Sequence, residues 1–524
     1  LILQVNFMDV GNVRNGLIPV SLPSGKPLSG EESPAAQGDT VSIGNAGGNT
    51  VRLDILHMND VHGQVSPKMA PKITPDGPVG GLAHVKTVVD RERAKNPEGT
   101  LTLNAGDIAE GTMESYLTQG KAVAAAFNSI GFDAIELGNH DFSWGQDALK
   151  CIVEGLDAPV LAANVVKTSD GSTLDGVKPY IVKDLKGVRV GIIGLDTTTT
   201  PRYVDESKLE GIRFEDAAAT LKKQMPRMKE EGADLILVLS HLGFEDDKKL
   251  AADVPGIDLI VGGHSHTELP GGHREGDTMI VQAGSQGEYV GKLQIDVDPG
   301  SKKIVSHKAG LIPVIAGEIE PDAGVMGILK PYLDEVNAIG AKVMGTALED
   351  LSFSHKEPGK LNQIFADSCL DASGADIGIC SSRKLRGGIK QGDVPYRALF
   401  SAVPFSEEEV VMMKVKGGAV LAEIEERLKD GGRGVIVPSG FKYEYDPSLP
   451  NGSRVTSTTL PDGSFLDPEK EYSVVLDDGI ARKERFKDGS EFQSLGGCQK
   501  MFFDYFQGSG PWKNDPDDRI RRAG

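Results

Sequence analysis

Basic residues are scarce in this chain. Across 524 residues, 56 Lys and Arg face 76 Asp and Glu, for a formal net charge of −20 and a pI near 5.0. A surface of that sign argues against sequence-independent binding to DNA or RNA, which needs a basic footprint. Cysteine is rarer still. Cys151, Cys369, Cys380 and Cys498 make up the total of 4, and none sits in a C-x-x-C pair. Cys369 and Cys380 are close enough in sequence to bridge, but buried free thiols fit equally well, so cysteine usage leaves the compartment open. Long apolar runs are missing as well: no stretch reaches the length of a membrane span. The polar C-terminus around Asp517-Asp518-Arg519 shows no anchor-attachment tail. The chain opens at Leu1 rather than methionine. Its first apolar run is too short, and lacks the basic flank, for a signal-peptide core. The N-terminus is therefore expected to be processed or incomplete. No internal repeat or low-complexity tract is present.

At 524 residues and 39% hydrophobic content, the chain has material for globular cores but is too long for one. Residues 1–50, rich in Gly, Ser, Pro and Asn, read as an extension, with an edge strand over 1–8 and loop thereafter. Residues 51–315 alternate buried-looking strands with helical patterns, as parallel βαβ units do. Helices are expected over 82–94, 121–130, 214–228 and 248–254. Another runs over 322–339, started by Pro321 and ended by Gly340. It occupies a linker, 316–343, ahead of a second domain over 344–524.

Metal-binding side chains recur at the ends of the predicted strands of the first domain. Asp60 and His62 follow Leu53-Asp54-Ile55-Leu56, Asp107 follows Leu101-Thr102-Leu103, and Asn139 and His140 follow Ala134-Ile135-Glu136-Leu137. His241 follows Leu235-Ile236-Leu237-Val238-Leu239, and His264 and His266 follow Asp258-Leu259-Ile260-Val261. Open α/β sheets place their binding crevice at the carboxyl ends of the strands. A single His or Gly-Asp pair there is an ordinary turn; the whole series is a metal centre. Carboxylate, imidazole and amide donors suit zinc, manganese or similar divalent ions, while calcium cages and thiolate zinc sites fit poorly. Asp107 is the natural bridge. Two cations ~3.5–4 Å apart would clamp a phosphoryl group for in-line attack by water.

In order and type, the segments D-x-H, G-D, G-N-H-D, S-H and G-H-S-H-T resemble the 5′-nucleotidase family of calcineurin-like metallophosphoesterases, and the likeness runs from about residue 51 onward. The resemblance implies an α/β fold: a four-layer metallophosphoesterase sandwich with a second, smaller α/β C-terminal domain joined by a helix. It assigns one metal to Asp60, His62, Asp107 and His266, and the other to Asp107, Asn139, His241 and His264. It makes His140 the catalytic histidine, stabilising charge or protonating the leaving oxygen. The family carries an acid three residues after that histidine to orient it, and here that position is Ser143. Ser143 cannot stabilise an imidazolium as a carboxylate would, so a weaker or more alkaline-active catalyst is expected. Asp141 is expected to point elsewhere.

The second half implies the substrate. Arg386 in Leu385-Arg386-Gly387-Gly388 resembles a phosphate-contacting arginine. Lys356 stands where another arginine is usual, and lacks its planar fork. Leu361 to Asp367 resembles the helix that opens the C-terminal domain, with Asn362 as a substrate-binding residue. Two aromatic rings that sandwich a base in nucleotidases fall on Val435 and Gly479, neither of which can stack. Phe441 is the nearest substitute, with Phe486 and Phe492 behind it. The expected substrate is a small phosphate monoester, a nucleoside monophosphate held with relaxed base preference. The alternatives are a 2′,3′-cyclic nucleotide phosphodiesterase, and a non-catalytic binding or structural protein on the same scaffold. Most relatives of this kind act outside the cytoplasm or in the periplasm, so the resemblance implies an extracellular or periplasmic location.

Overall fold

The computed structural model describes residues 40–42, 50–356, 359–404, 409–432, 435–514 and 518–523. The edge strand expected over 1–8 lies outside them. From Ala36 to Gly524 the chain packs as one compact unit.

Two sheets stack face to face in the first half. The larger runs in the order Thr40–Ser42, Ile304–Pro313, Tyr289–Val297, Val51–Met58, Thr100–Ala105, Ala134–Glu136, Val160–Leu161, Val177–Lys178. It is parallel from Val51–Met58 onward and antiparallel before it. The smaller sheet has a parallel centre of Val188–Asp196, Leu235–His241, Leu259–Gly262 and Thr278–Val281. The loop expected up to residue 50 is corrected at Thr40–Ser42, which pairs with Ser306–Lys308 and extends the sheet edge.

Three apolar layers explain why these strands read as continuous hydrophobic runs. Leu53, Ile55, Leu101 and Leu103 of one sheet meet Val190, Ile192, Leu235 and Leu237 of the other. Outside the larger sheet, Val85, Val88 and Phe127 from helices Leu82–Arg93 and Lys121–Ile130 cover Leu56, Met58 and Ile135. Outside the smaller one, Leu221, Met228 and Leu250 from helices Ala217–Glu230 and Phe244–Asp253 cover Ile193, Ile236 and Val238. Each buried Leu, Val or Ile stabilises by about 1.5–3 kcal/mol relative to exposure, so strands apolar on both faces demand helix–sheet–sheet–helix layering. The helix Phe244–Asp253 starts before its expected span, because Gly243 supplies the turn into it at φ 95°.

Helix Ala323–Gly340 joins the halves. The Asp322 side chain accepts from Val325 N at 2.8 Å and caps it. Val325 and Leu329 lie in the first core, and Val336 lies in the second. The second half is a five-stranded sheet, ordered Ile436–Ser439, Ile377–Ser381, Glu471–Asp477, Glu409–Lys416, Ser490–Gly497. Helices Lys360–Ser373 and Cys498–Ser509 pack on it with Cys369, Cys380 and Cys498 in their core. All four cysteines are free thiols, so the Cys369–Cys380 bridge is not formed. The halves touch through Arg397 Nη1 on Glu114 Oε1 at 2.9 Å and Arg482 Nη2 on Asp205 Oδ2 at 3.0 Å. No helix among the described residues is long and apolar enough to cross a membrane.

Candidate metal centre

The carboxyl ends of both sheets meet at one rim, and the strand-end side chains converge there. Potential ligand atoms of Asp60, His62 and His266 lie within 4.8 Å of one another, as do those of Asp107, His241 and His264, and those of His62, Asp107 and His140. His241 Nε2 is 3.1 Å from Asp107 Oδ2, and His266 Nε2 is 3.3 Å from Asp60 Oδ1. His62 Nε2 lies 3.0 Å from His266 Nε2 and 3.7 Å from Asp107 Oδ2.

The backbone is bent to bring them together. Asp60, His62, Asp107, His264 and His266 all adopt positive φ, between 49° and 69°. L-residues seldom rest there, and a surrounding structure must hold them. Part of that hold is visible. Asp60 N donates to Gly106 O at 3.0 Å, and Asp60 O accepts from Gln286 N at 2.7 Å. His264 N donates to Asp60 Oδ2 at 2.9 Å.

The imidazoles are set for ligation. His241 Nδ1–H donates to Ala105 O at 2.7 Å and His62 Nδ1–H to Glu110 O at 3.0 Å, which leaves each Nε2 with its lone pair turned to the centre. Asn139 Oδ1 is buried without a hydrogen-bond partner, and His241 Nε2 is buried with the Asp107 carboxylate beside it at 3.1 Å. An unpaired buried polar atom is costly, and here it belongs to the expected ligand set. The residues therefore fit the binding of divalent cations.

Charge is concentrated here. Burial works to raise the Asp107 pKa, but His241, His140 and His62 hold it well below the usual carboxylate range. Burial would lower the His140 pKa, but the charges of Asp107 and Glu110 and the Glu110 hydrogen bond push it up to about 9. Cations seated on Asp107 would oppose that rise.

The structure corrects the reading of His140. It does not lack a carboxylate: Glu110 Oε2 accepts from its Nδ1 at 2.5 Å. Asp141 points away as expected, with its oxygens accepting from Ile108 N at 2.9 Å, Ala109 N at 3.2 Å and Gly138 N at 2.9 Å. Glu110 and Asn59 escaped sequence reasoning. Asn59 Nδ2 donates to Asp60 Oδ2 at 2.7 Å and to Gly284 O at 2.6 Å, which orients the carboxylate. The available signal was polarity beside each motif, in M-N-D-V-H and G-D-I-A-E.

The expected substrate residues are not drawn into the cluster in the same way. Phe441 is buried in the C-terminal core with Ile377, Tyr443 and Leu476, a core position and not a stacking platform. Asn362 is committed to a loop: its Oδ1 accepts from Ser354 N at 3.1 Å and Gly359 N at 3.0 Å, and its Nδ2 donates to Ser354 O at 3.1 Å. Arg386 and Lys356 are exposed, and Arg386 Nη1 donates to Leu385 O at 3.1 Å. Val435 and Phe486 are buried, and Phe492 is exposed on the strand Ser490–Gly497.

Residues 53–268 match the family model described as calcineurin-like phosphoesterase, and residues 341–488 match that of the 5′-nucleotidase C-terminal domain. The crystal structure of a 5′-nucleotidase precursor from Thermus thermophilus superposes with a TM-score of 0.71 at 27% identity, covering 90% of this chain and 99% of that one. A snake venom 5′-nucleotidase from Gloydius brevicauda is 27% identical over 480 residues, 82% of this chain and 81% of the relative. Endonuclease YhcR from Bacillus subtilis is 26% identical over 474 residues; the match takes in 85% of this chain but spans only 38% of that longer protein. Sandwich and ligand set together define a calcineurin-like phosphoesterase. With the second domain included, the chain belongs to the 5′-nucleotidase family, metal-dependent hydrolases of phosphoric esters.

Proposed function

We propose that the protein hydrolyses small phosphate monoesters, nucleoside monophosphates among them, with two divalent cations of the zinc or manganese type and with relaxed base preference. The observation that carries this is the convergence of buried carboxylates and imidazoles, Asp107 with His241 and His264 and Asp60 with His62 and His266, next to the unpaired buried Asn139 Oδ1. It opposes a scaffold that merely binds, since such groups are expensive to bury without a use.

When bound, the cations would neutralise phosphoryl charge and make water nucleophilic at neutral pH. The protein's own groups do the rest. Asp107, His241 and Asn139 fix the seat. His140, hydrogen-bonded at Nδ1, keeps Nε2 for the ester, where it holds a proton for the leaving oxygen. Water oxygen bonds to phosphorus as the ester P–O bond breaks, and the leaving oxygen departs as an alcohol. Arg386 and Lys356 supply positive charge on the C-terminal side in an otherwise acidic chain.

The missing aromatic pair, Val435 and Gly479, supports tolerance of many leaving groups and keeps 2′,3′-cyclic diesters in play. The likeness to a protein named as an endonuclease points the same way. Likeness to a venom enzyme supports action outside the cytoplasm, which cell fractionation would check. A panel of AMP, p-nitrophenyl phosphate and a 2′,3′-cyclic nucleotide, assayed with and without chelator, tests the activity. Monoester turnover abolished by chelator and restored by zinc or manganese is expected. A metal-loaded chain that turns over none of them overturns the reading.

A further inference from the structure

Glu110 lies three residues beyond Asp107, on the loop facing His140. Its Oε2 is 2.5 Å from His140 Nδ1, and Ser143 is among the neighbours that favour the charged form of the same carboxylate, after His140. An acid at position 143 would have reached the histidine from its own loop. Here that loop offers a hydroxyl, and the acid comes from across the gap. We propose that Glu110 is the positioning residue for His140, supplying from the facing loop the carboxylate that position 143 lacks.

The surrounding bonds support that placement. Asp141 ties the two loops together, accepting from Ile108 N and Ala109 N on one side and Gly138 N on the other. That clamp holds the backbone just before Glu110 against the backbone just before His140. His140 N also donates to Asp107 Oδ1 at 2.8 Å, so the histidine backbone is anchored while its ring remains partly exposed. The ring needs a partner to choose its tautomer, and a carboxylate on Nδ1–H does so and keeps Nε2 toward the substrate. Glu110 does more than this with its backbone: its carbonyl accepts from His62 Nδ1 at 3.0 Å. One residue thereby sets two imidazoles, His62 through its main chain and His140 through its side chain. Only the second role is lost when the side chain alone is changed. No bond forms or breaks at Glu110; it acts through orientation and charge.

This inference rests on the hydrolase reading, and the test separates the two. Glu110→Gln keeps shape and removes charge. On p-nitrophenyl phosphate, kcat should fall about 10–100-fold with KM nearly unchanged, as for a partner that acts through the catalytic histidine. Bound metal, measured by elemental analysis, should not change. Adding Ser143→Asp to Glu110→Gln returns a carboxylate from the other loop, and most of the lost kcat should come back. In proton NMR, a strongly downfield Nδ1–H resonance should be present in the unaltered protein and absent from both Glu110→Gln and His140→Gln. Wild-type kcat in Glu110→Gln, loss of metal in step with kcat, no recovery in the double variant, or persistence of the resonance would each overturn the proposal. An unaltered protein inactive on every ester would sink the hydrolase reading instead, while the resonance would still report on this hydrogen bond.

Discussion

Gly138 and Gly479 stand in different halves of the molecule and answer to different constraints. A Cβ built on Gly138 would lie 2.3 Å from Asp107 Oδ1 and 2.7 Å from His241 Cε1, whereas one on Gly479 meets nothing within 4 Å. The first glycine is there because the metal rim has no room for a methyl group. The second leaves space where a ring would be expected. The rim is over-determined: five ligand residues held at positive φ, imidazoles pinned by carbonyls, glycines at van der Waals limits. In the C-terminal domain Gly479, Arg386 and Lys356 are exposed. On the proposed function, the crowded side would carry the chemistry and the open side the choice of ester.

The contrast can be broken most severely at the crowded side. Gly138→Ala removes no ligand, and its backbone at φ −125° accepts alanine without strain. The methyl group must nevertheless displace the Asp107 carboxylate. Loss of charge stabilisation worth several kcal/mol predicts turnover down on the order of a thousandfold, with bound metal lost by elemental analysis. Retained metal and turnover would show that the rim can relax. A smaller effect, of another kind, is expected at Phe441. Phe441→Ala truncates a buried core ring and should cost about 3 kcal/mol of stability, read from denaturant unfolding. At a concentration and temperature where the variant stays folded, KM for AMP should be unchanged. A raised KM at unaltered stability would return Phe441 to the substrate.

The difference between the two regions also explains what could be read beforehand. The convergence of Asp60, His62, Asp107, His241, His264 and His266 was legible because parallel strands deliver their carboxyl ends to one edge. Whatever follows each apolar run arrives at the same place. The four-layer fold was legible for the same reason, from strands with no polar face. Glu110 was not legible, since its partner is set by how the loop after Asp107 folds over the loop after Gly138. That fold is held by backbone bonds to Asp141, which no periodicity announces. Phe441 misled because an aromatic residue beside a glycine suits a platform or a core equally well, and only the packing of Ile377, Tyr443 and Leu476 around it decides. The same ambiguity hid Asn362, whose amide closes a loop.

The smallest expected effect is the most direct probe of the open side. Gly479→Phe installs a ring at an exposed position with no steric neighbour within 4 Å. Val435, its counterpart, is buried and would remain unable to stack. One ring therefore supplies a single face for a base, at the low end of the ~1–3 kcal/mol that stacking contributes per base. About 1 kcal/mol corresponds to roughly a fivefold rise in kcat/KM for AMP. p-Nitrophenyl phosphate serves as the internal reference; a gain shared by both esters would mean that the ring grips any aromatic leaving group. No gain for either would place the leaving group away from Gly479, and base preference would then have to be sought elsewhere on the cleft. Either outcome leaves the metal rim untouched, which is what separates the two sides of this enzyme.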